Sequence, residues 1–409
     1  YNGEGMPLRA VDPLGRETRY TYGTGTTPDP IPSSGTGIDL LKVEQKNGAT
    51  WEVLASYKYN EAARVPPGFQ GRVMTEATDA SGQVTVYTYN SKAQLLTVTT
   101  PARADITENR TTTMTYDANG YLIGTLGPAP GDTASYAYDA QGRMRTTTDS
   151  DGHTLTFEYD AMDRPTKTIH PDGTTDQTEY EKLHVSRTKD RRGRWTSMVV
   201  DALQRTVAVR DPLARTVTFD WCACGSLNAL IDGKGQRTSW EYDLQGRTTK
   251  MIRPDGSSSR YVYEEMSGRL KEAFDPRDQK ATVTYFNDNR WKQISYSNLA
   301  SGVVATPLVS FTYDAVYPRL STIVDGTGTT TYGYHPIPAS PGLGAGRLAT
   351  VDGPLTSDVI SYGYDELGRV KQCQINGAAS TTTTTYDVLG RVDGETNALG
   401  AFAYGYGGV

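Results

Sequence analysis

The chain has 409 residues, of which only 36% are hydrophobic, and its mean hydropathy is -0.54. That is too polar for the several thick apolar cores a chain of this length would normally build, yet 27 Tyr and many β-branched residues exclude disorder. The net charge of -6, with acids and bases interspersed, offers no basic face to nucleic acid or an anionic membrane, and no apolar run approaches the roughly 20 residues of a membrane span.

In chain order, the predicted elements are one unit repeated. An aromatic slot recurs at Tyr22, Tyr59 and Tyr89, then at Tyr116, Tyr138, Tyr159, Tyr180, Val200, Trp221, Tyr242, Tyr263 and Tyr285, about 21 residues apart. It continues at Tyr313, Tyr334, Tyr364 and Tyr386, which makes sixteen copies, with a remnant at Tyr404. Wider spacing marks insertions at 23–56, 60–85, 297–310 and 335–350, rich in Gly, Pro, Ser and Thr and expected to leave the regular sheet. The whole of 1–409 reads as a single array. Partner-binding sites would be sought first on the insertion loops.

Each unit carries two turns of the same chemistry. One follows the aromatic slot, as in Asp117 to Gly120, Asp139 to Gly142, Asp243 to Gly246, Asp365 to Gly368 and Asp387 to Gly390. The other lies half a unit away, as in Asp149 to Gly152, His170 to Gly173, Asp190 to Gly193 and Asp232 to Gly235. Asp caps the turn's own N–H groups, and Gly accepts a positive φ at its end. A type I turn closed in this way makes a short hairpin. The segments between turns have the length of ordinary strands. Aromatic slots in register should stack between neighbouring strands. The fold predicted is all-β, a long antiparallel meander of two-stranded units. A four-stranded propeller blade would need alternate units to differ, and they do not. A sheet that curls into a hollow shell or tube suits equivalent units and a composition without a thick core.

The strings "YAYDAQGRM" (136–144), "WEYDLQGRT" (240–248), "YGYDELGRV" (362–370) and "TTYDVLGRV" (384–392) resemble the YD repeats of the RHS-repeat family, and "DPLGRETRYTYG" (12–23) fits the same pattern. The resemblance extends over nearly the whole chain. It implies a strip of sheet wound spirally into a shell, as in bacterial RHS toxins, the cocoon component of Tc toxin complexes and teneurins. In the toxins, the shell encloses a C-terminal effector released by an aspartyl autoprotease. The end of this sequence, "NALGAFAYGYGGV", does not resemble the family's C-terminal core signature, so neither cleavage nor cargo carries over. The chain reads as the repeat portion of a larger secreted protein or a repeat-only relative.

Other candidate residues fall in repeat slots. His153, His170, His184 and His335 sit at turns, His184 at the fourth, positive-φ position of its own. In "FDWCACG" (219–225), Cys222 takes the Asp slot and Cys224 lies two residues on. A turn variant, a redox or crosslinking thiol and part of a metal site all remain open, although two ligands fall short of a zinc set. The third cysteine, Cys373, leaves at least one thiol unpaired within the chain. "KDRRGRW" (189–195) reads as a solvated turn. No residues are nominated as catalytic, cofactor-binding or metal-binding. The expectation is a non-enzymatic extracellular or cell-surface bacterial protein whose partner is an enclosed polypeptide or another copy of itself. The alternative is a filament or adhesin that binds glycans or partner cells, and a hydrolase site within an insertion stands third.

Overall fold

The computed structural model describes the chain except residues 2, 25–26, 29–37, 70, 104–107, 298–301, 303, 305, 339–341 and 407–409. Among the described residues are 35 strands and one helical turn, the 3-10 segment Ala378–Ser380. The molecule is all-β, as its alternating Thr, Val and Tyr residues dictate. The backbone contacts divide it into two compact units. One comprises Tyr1–Ser135, Tyr285–Lys292 and Val309–Val409, and the other Tyr136–Thr284 and Gln293–Leu308.

In the second unit, every strand from Met144–Thr148 to Lys280–Tyr285 pairs antiparallel with the next, without a break. Four-stranded blades would interrupt that ladder, so the propeller alternative fails here. Its two sets of hairpins differ. Across the Asp149 turn the register is regular, with Thr146 opposite Thr156 and Thr148 opposite Thr154. Across the turn after Tyr159 it slips, from Glu158 opposite Lys167 to Tyr159 opposite Pro165. The slip recurs at Tyr180, Val200, Trp221, Tyr242 and Tyr263. Each is a bulge, which leaves one residue unpaired and increases local twist. The strip therefore has a bulged aromatic margin and a regular plain margin.

The first unit contains two runs of the same kind. One extends from Arg9–Val11 to Leu122–Leu126 and the other from Val309–Tyr313 to Gly400–Ala403. The segment 23–56, expected as an insertion, holds two of the longest strands, Asp39–Asn47 and Thr50–Tyr59, paired in the ladder. They form a hairpin that turns at Gly48 (φ 58°) without the Asp or aromatic signature of the other units, so the motif count passes over it. Residues 25–26 and 29–37 of that segment lie outside the described residues. The segment 60–85 similarly holds the strand Met74–Asp79. Between 335 and 346 the described residues lie outside strands, and the ladder resumes at Leu348–Asp352.

Buried apolar side chains are few and scattered, among them Leu41, Val86, Ala229, Val283 and Ile337. The largest fully buried side chain among the described residues is Thr75. With so little core, the fold rests on the ladder and on what the margins do. Within the first unit, side chains bring the plain margin of the early run against aromatic-margin turns of the Tyr285–Lys292 segment and of the late run. Arg16 donates to Asp288 (3.0 Å) and to the Tyr317 carbonyl (3.4 Å), and Gln45 to the Val316 carbonyl (3.0 Å). Tyr317 bonds Glu52, and Arg110 donates to the Asp387 carbonyl (3.3 Å). These partners are 265 to 301 residues apart in sequence, with residues 16–52 meeting 288–317 and Arg110 meeting Asp387.

Candidate functional site

The most elaborate chemistry in the molecule is the aromatic-margin turn, and it is built many times over. In the copy at 139–143, the Asp139 Oδ1 atom accepts the N–H groups of Gln141 and Arg143, both at 3.0 Å. The Gly142 N–H donates to the Asp139 carbonyl (3.0 Å), and Gly142 has φ 81°. Only a residue free of Cβ strain takes that φ cheaply, which is why Gly closes these turns. Asp243 with Gly246 (φ 78°) and Asp365 with Gly368 (φ 71°) repeat the geometry.

The residue after the positive-φ position, which is Gly in most turns but Asp163 (φ 61°) and Gln204 (φ 63°) in two of them, completes the site. Arg143 donates through Nε to Asp139 Oδ2 (2.7 Å), and Arg164 to Asp160, Arg205 to Asp201 and Arg247 to Asp243 do so at the same distance. Each guanidinium also lies over the aromatic slot of the following unit. Its carbon is 4.8 Å from the Tyr159 ring centroid for Arg143, 4.1 Å from Tyr180 for Arg164, 5.7 Å from Trp221 for Arg205 and 4.6 Å from Tyr263 for Arg247. Arg290 over Tyr313 (3.9 Å), Arg319 over Tyr334 (4.1 Å) and Arg369 over Tyr386 (4.1 Å) continue the series in the first unit. Arg247 Nη1 and Arg369 Nη1 are buried with no hydrogen-bond partner, consistent with stacking on a ring.

The ring returns the contact. Tyr159 donates its hydroxyl to the Met144 carbonyl (2.8 Å), the residue directly after Arg143. Tyr116, Tyr180, Tyr242, Tyr263, Tyr364 and Tyr386 make the equivalent bond to Leu95, Pro165, Leu227, Thr248, Leu348 and Val370. Trp221 keeps it by donating Nε1–H to the Thr206 carbonyl (2.7 Å), so a ring of another type still serves when it carries a donor at its tip. Tyr138 and Tyr285 likewise end their strands, Thr133–Tyr138 and Lys280–Tyr285.

The electrostatics are those of paired turns. The Arg164 guanidinium holds the Asp160 carboxyl below its usual range, and Arg205 does the same for Asp201. Asp172 is lowered to about 2, first by the Thr174 hydroxyl and then by the Thr174 N–H and Arg191. Burial raises the Tyr263 hydroxyl.

The remaining nominated residues have turn or strand roles. His184 corrects an expectation. It opens the strand His184–Lys189, and the positive φ falls on Lys182 (52°), because the hairpin has a two-residue loop with Glu181 opposite His184. His184 contacts Gln204 Oε1 (3.1 Å), His170 contacts Asp176 Oδ2 (2.6 Å), and His335 bonds the Tyr362 carbonyl (2.9 Å). Cys222 and Cys224 form a disulfide, and Cys222 Sγ accepts the N–H groups of Cys224 (3.0 Å) and Ser226 (3.4 Å), as a turn Asp would. Cys373 is a free, half-buried cysteine. Among the described residues, no group of three or more His, Cys, Asp or Glu is placed to hold a metal ion. The arginines were missed from sequence, although the R stands after the G in every quoted repeat. Their partner ring lies in the next unit, and a scan of one unit at a time does not pair them.

Comparison with known proteins places this geometry. The family model described as RHS Repeat matches residues 138–175. No curated protein matches. Among solved structures, the crystal structure of TcdB2-TccC3 is similar at 16% identity and a TM-score of 0.52, over 97% of this chain and 21% of that one. TcdB2-TccC3 without its hypervariable C-terminal region matches at 13% identity and TM-score 0.53 (95% and 23%), and TcdB2-TccC3-Cdc42 at 16% and 0.53 (94% and 20%). The chain spans about a fifth of the length of these chains, and at such identity the likeness is one of fold.

Proposed function

The chain is an RHS/YD-repeat protein, and from that premise we propose that it is a structural, non-enzymatic wall segment of a secreted, toxin-associated bacterial shell. The observation that carries this reading is the clamp of Asp, Arg and the next unit's ring. It commits the recurring charged and aromatic residues to joining one unit to the next. The contacts of the first unit between residues 265 to 301 positions apart support a strip that winds back along itself. On this reading the protein's partner is a polypeptide held behind the wall, and its place is outside the cell. The nominated Tyr, Asp and Gly residues then have structural roles.

The test uses the intact 409-residue chain. Small-angle X-ray scattering should fit a curved wall around a solvent-filled space, and a protease-sensitive unfolded segment fused after the last residue should resist trypsin. Scattering from a solid ellipsoid, or cleavage of the segment at the rate of the free peptide, would defeat the proposal.

A further inference from the structure

A cavity of about 280 Å³ lies within the first unit, where plain-margin turns of the early run meet the aromatic-margin turn that begins at Asp365. Val84, Val86, Thr100 and Pro101 give it an aliphatic lining. Glu366 also lines it, is only 6% exposed, and its Oε2 atom has no hydrogen-bond partner. A buried carboxylate oxygen left unmet is costly, so it marks a place where a donor belongs. The nearest cation, Arg103, reaches only the other oxygen, Oε1, with its Nε at 4.0 Å, while its Nη1 donates to the Gly82 carbonyl (2.5 Å). The second arginine of the lining, Arg64, is turned to Glu76 (3.8 Å). Arg103 has an acceptor and Arg64 a carboxylate partner, and the unmet atom is a carboxylate oxygen.

We infer that this cavity binds a primary alkylammonium ligand, whose N–H donors meet Glu366 Oε2 and whose stem lies against Val84, Val86 and Pro101. The chemistry follows from the lining. A compact ammonium carries three donors for one carboxylate, and a chain of about four methylenes can lie along the apolar wall within the cavity. A free amine and a lysine side chain share this chemistry. The inference does not depend on the encapsulation proposed above, because it rests on one cavity and one carboxylate.

The experiment is a titration of the intact chain, followed by NMR or calorimetry, with butylammonium, 1-butanol, pentanoate and a doubly capped lysine. Butylammonium should bind at least about tenfold more tightly than 1-butanol, and Glu366→Gln should weaken it by about tenfold or more, the usual worth of a charge-assisted hydrogen bond. Arg103→Gln should leave binding unchanged or strengthen it, since it removes the competing cation. Binding of the capped lysine would assign the site to a peptide side chain, and its exclusion to a free amine; either supports the cavity's chemistry. If Glu366→Gln fails to fold, Ala102→Phe, at an exposed position of the lining, should block the cavity and abolish binding. No butylammonium binding at tens of millimolar, equal binding by Glu366→Gln or by Ala102→Phe, or equal binding of pentanoate would overturn the inference.

Discussion

The two margins of the strip use the same turn and reach different ends. On the aromatic margin, Arg247 bonds Asp243 and stacks on Tyr263, and its side chain is 26% exposed. On the plain margin, Arg215 makes the same Nε bond to Asp211 (2.6 Å), but its side chain is 64% exposed. Arg16 is the instructive exception. It belongs to a plain-margin turn, yet Asp288 of the first unit's Tyr285–Lys292 segment covers it, and its side chain is 8% exposed. The Asp-to-Arg motif therefore fixes local geometry only. What it contributes to stability depends on what the neighbouring strand or run lays over it, since an exposed ion pair is worth roughly 0–1 kcal/mol.

The comparison can be broken most forcefully at the rings. Trp221→Ala removes a half-buried ring and its bond to Thr206, and should cost about 2–4 kcal/mol in urea unfolding. A loss under about 1 kcal/mol would mean that the clamp is ornamental. Next in size, Gly246→Val should cost about 1–2 kcal/mol by the strain of a positive φ alone, as a Cβ there meets nothing within 4 Å. Gly193→Val on the plain margin (φ 78°) should match it, and unequal losses would show that the two turns differ in backbone as well as in cover. Arg247→Ala should cost about 1–2 kcal/mol and Arg215→Ala under about 0.5 kcal/mol, and equal thermal shifts would remove the distinction between margins.

Replacing both Cys222 and Cys224 with Ser should leave the fold intact and cost at most about 1.5 kcal/mol, because the disulfide closes so short a loop. A collapse of the circular dichroism spectrum would instead give the pair a larger role. The smallest effect per site is that of pH. Asp160, Asp190, Asp201 and Asp211 are lowered chiefly by their arginines, and Asp172 lies at about 2. A lowered folded value stabilises above the unfolded value near 3.9 and is lost as pH falls through the folded one. Thermal midpoints should be insensitive to these groups above about pH 5 and decline between about pH 4 and 2. A decline that begins near pH 6 would point to histidines instead.

The repeat was legible because its parts are local. An aromatic residue, an Asp next to it and a Gly three further on define a strand end and a turn without reference to anything distant. Where the same backbone is made with other residues, the pattern disappears. The hairpin of Asp39–Asn47 and Thr50–Tyr59 is longer than the others and slips in register between Val43 and Glu44, and it carries no Asp-to-Gly turn. His184 was misplaced because a two-residue loop puts its positive φ at the first loop residue rather than after the turn. The arginine clamp needed knowledge of which ring lies next door, and the meeting of Arg16 with Asp288 needed the path between two residues 272 positions apart.

In the second unit's ladder, the Cys222 turn lacks the Asp-to-Arg pair but keeps the ring contact at Tyr242, whereas another unit lacks both. Its turn at Glu181 and His184 supplies no Asp-to-Arg pair, and the following slot is Val200, which has neither a ring nor a donor. In an array coupled only through neighbours, stability behaves as a row of links in series, and opening begins at the weakest coupling. The segment from Glu181 to Val200 is then where the ladder would part first under load or heat. Amide exchange there should outpace that at Trp221 or Tyr263, and a protease should nick this segment before any other strand of the ladder.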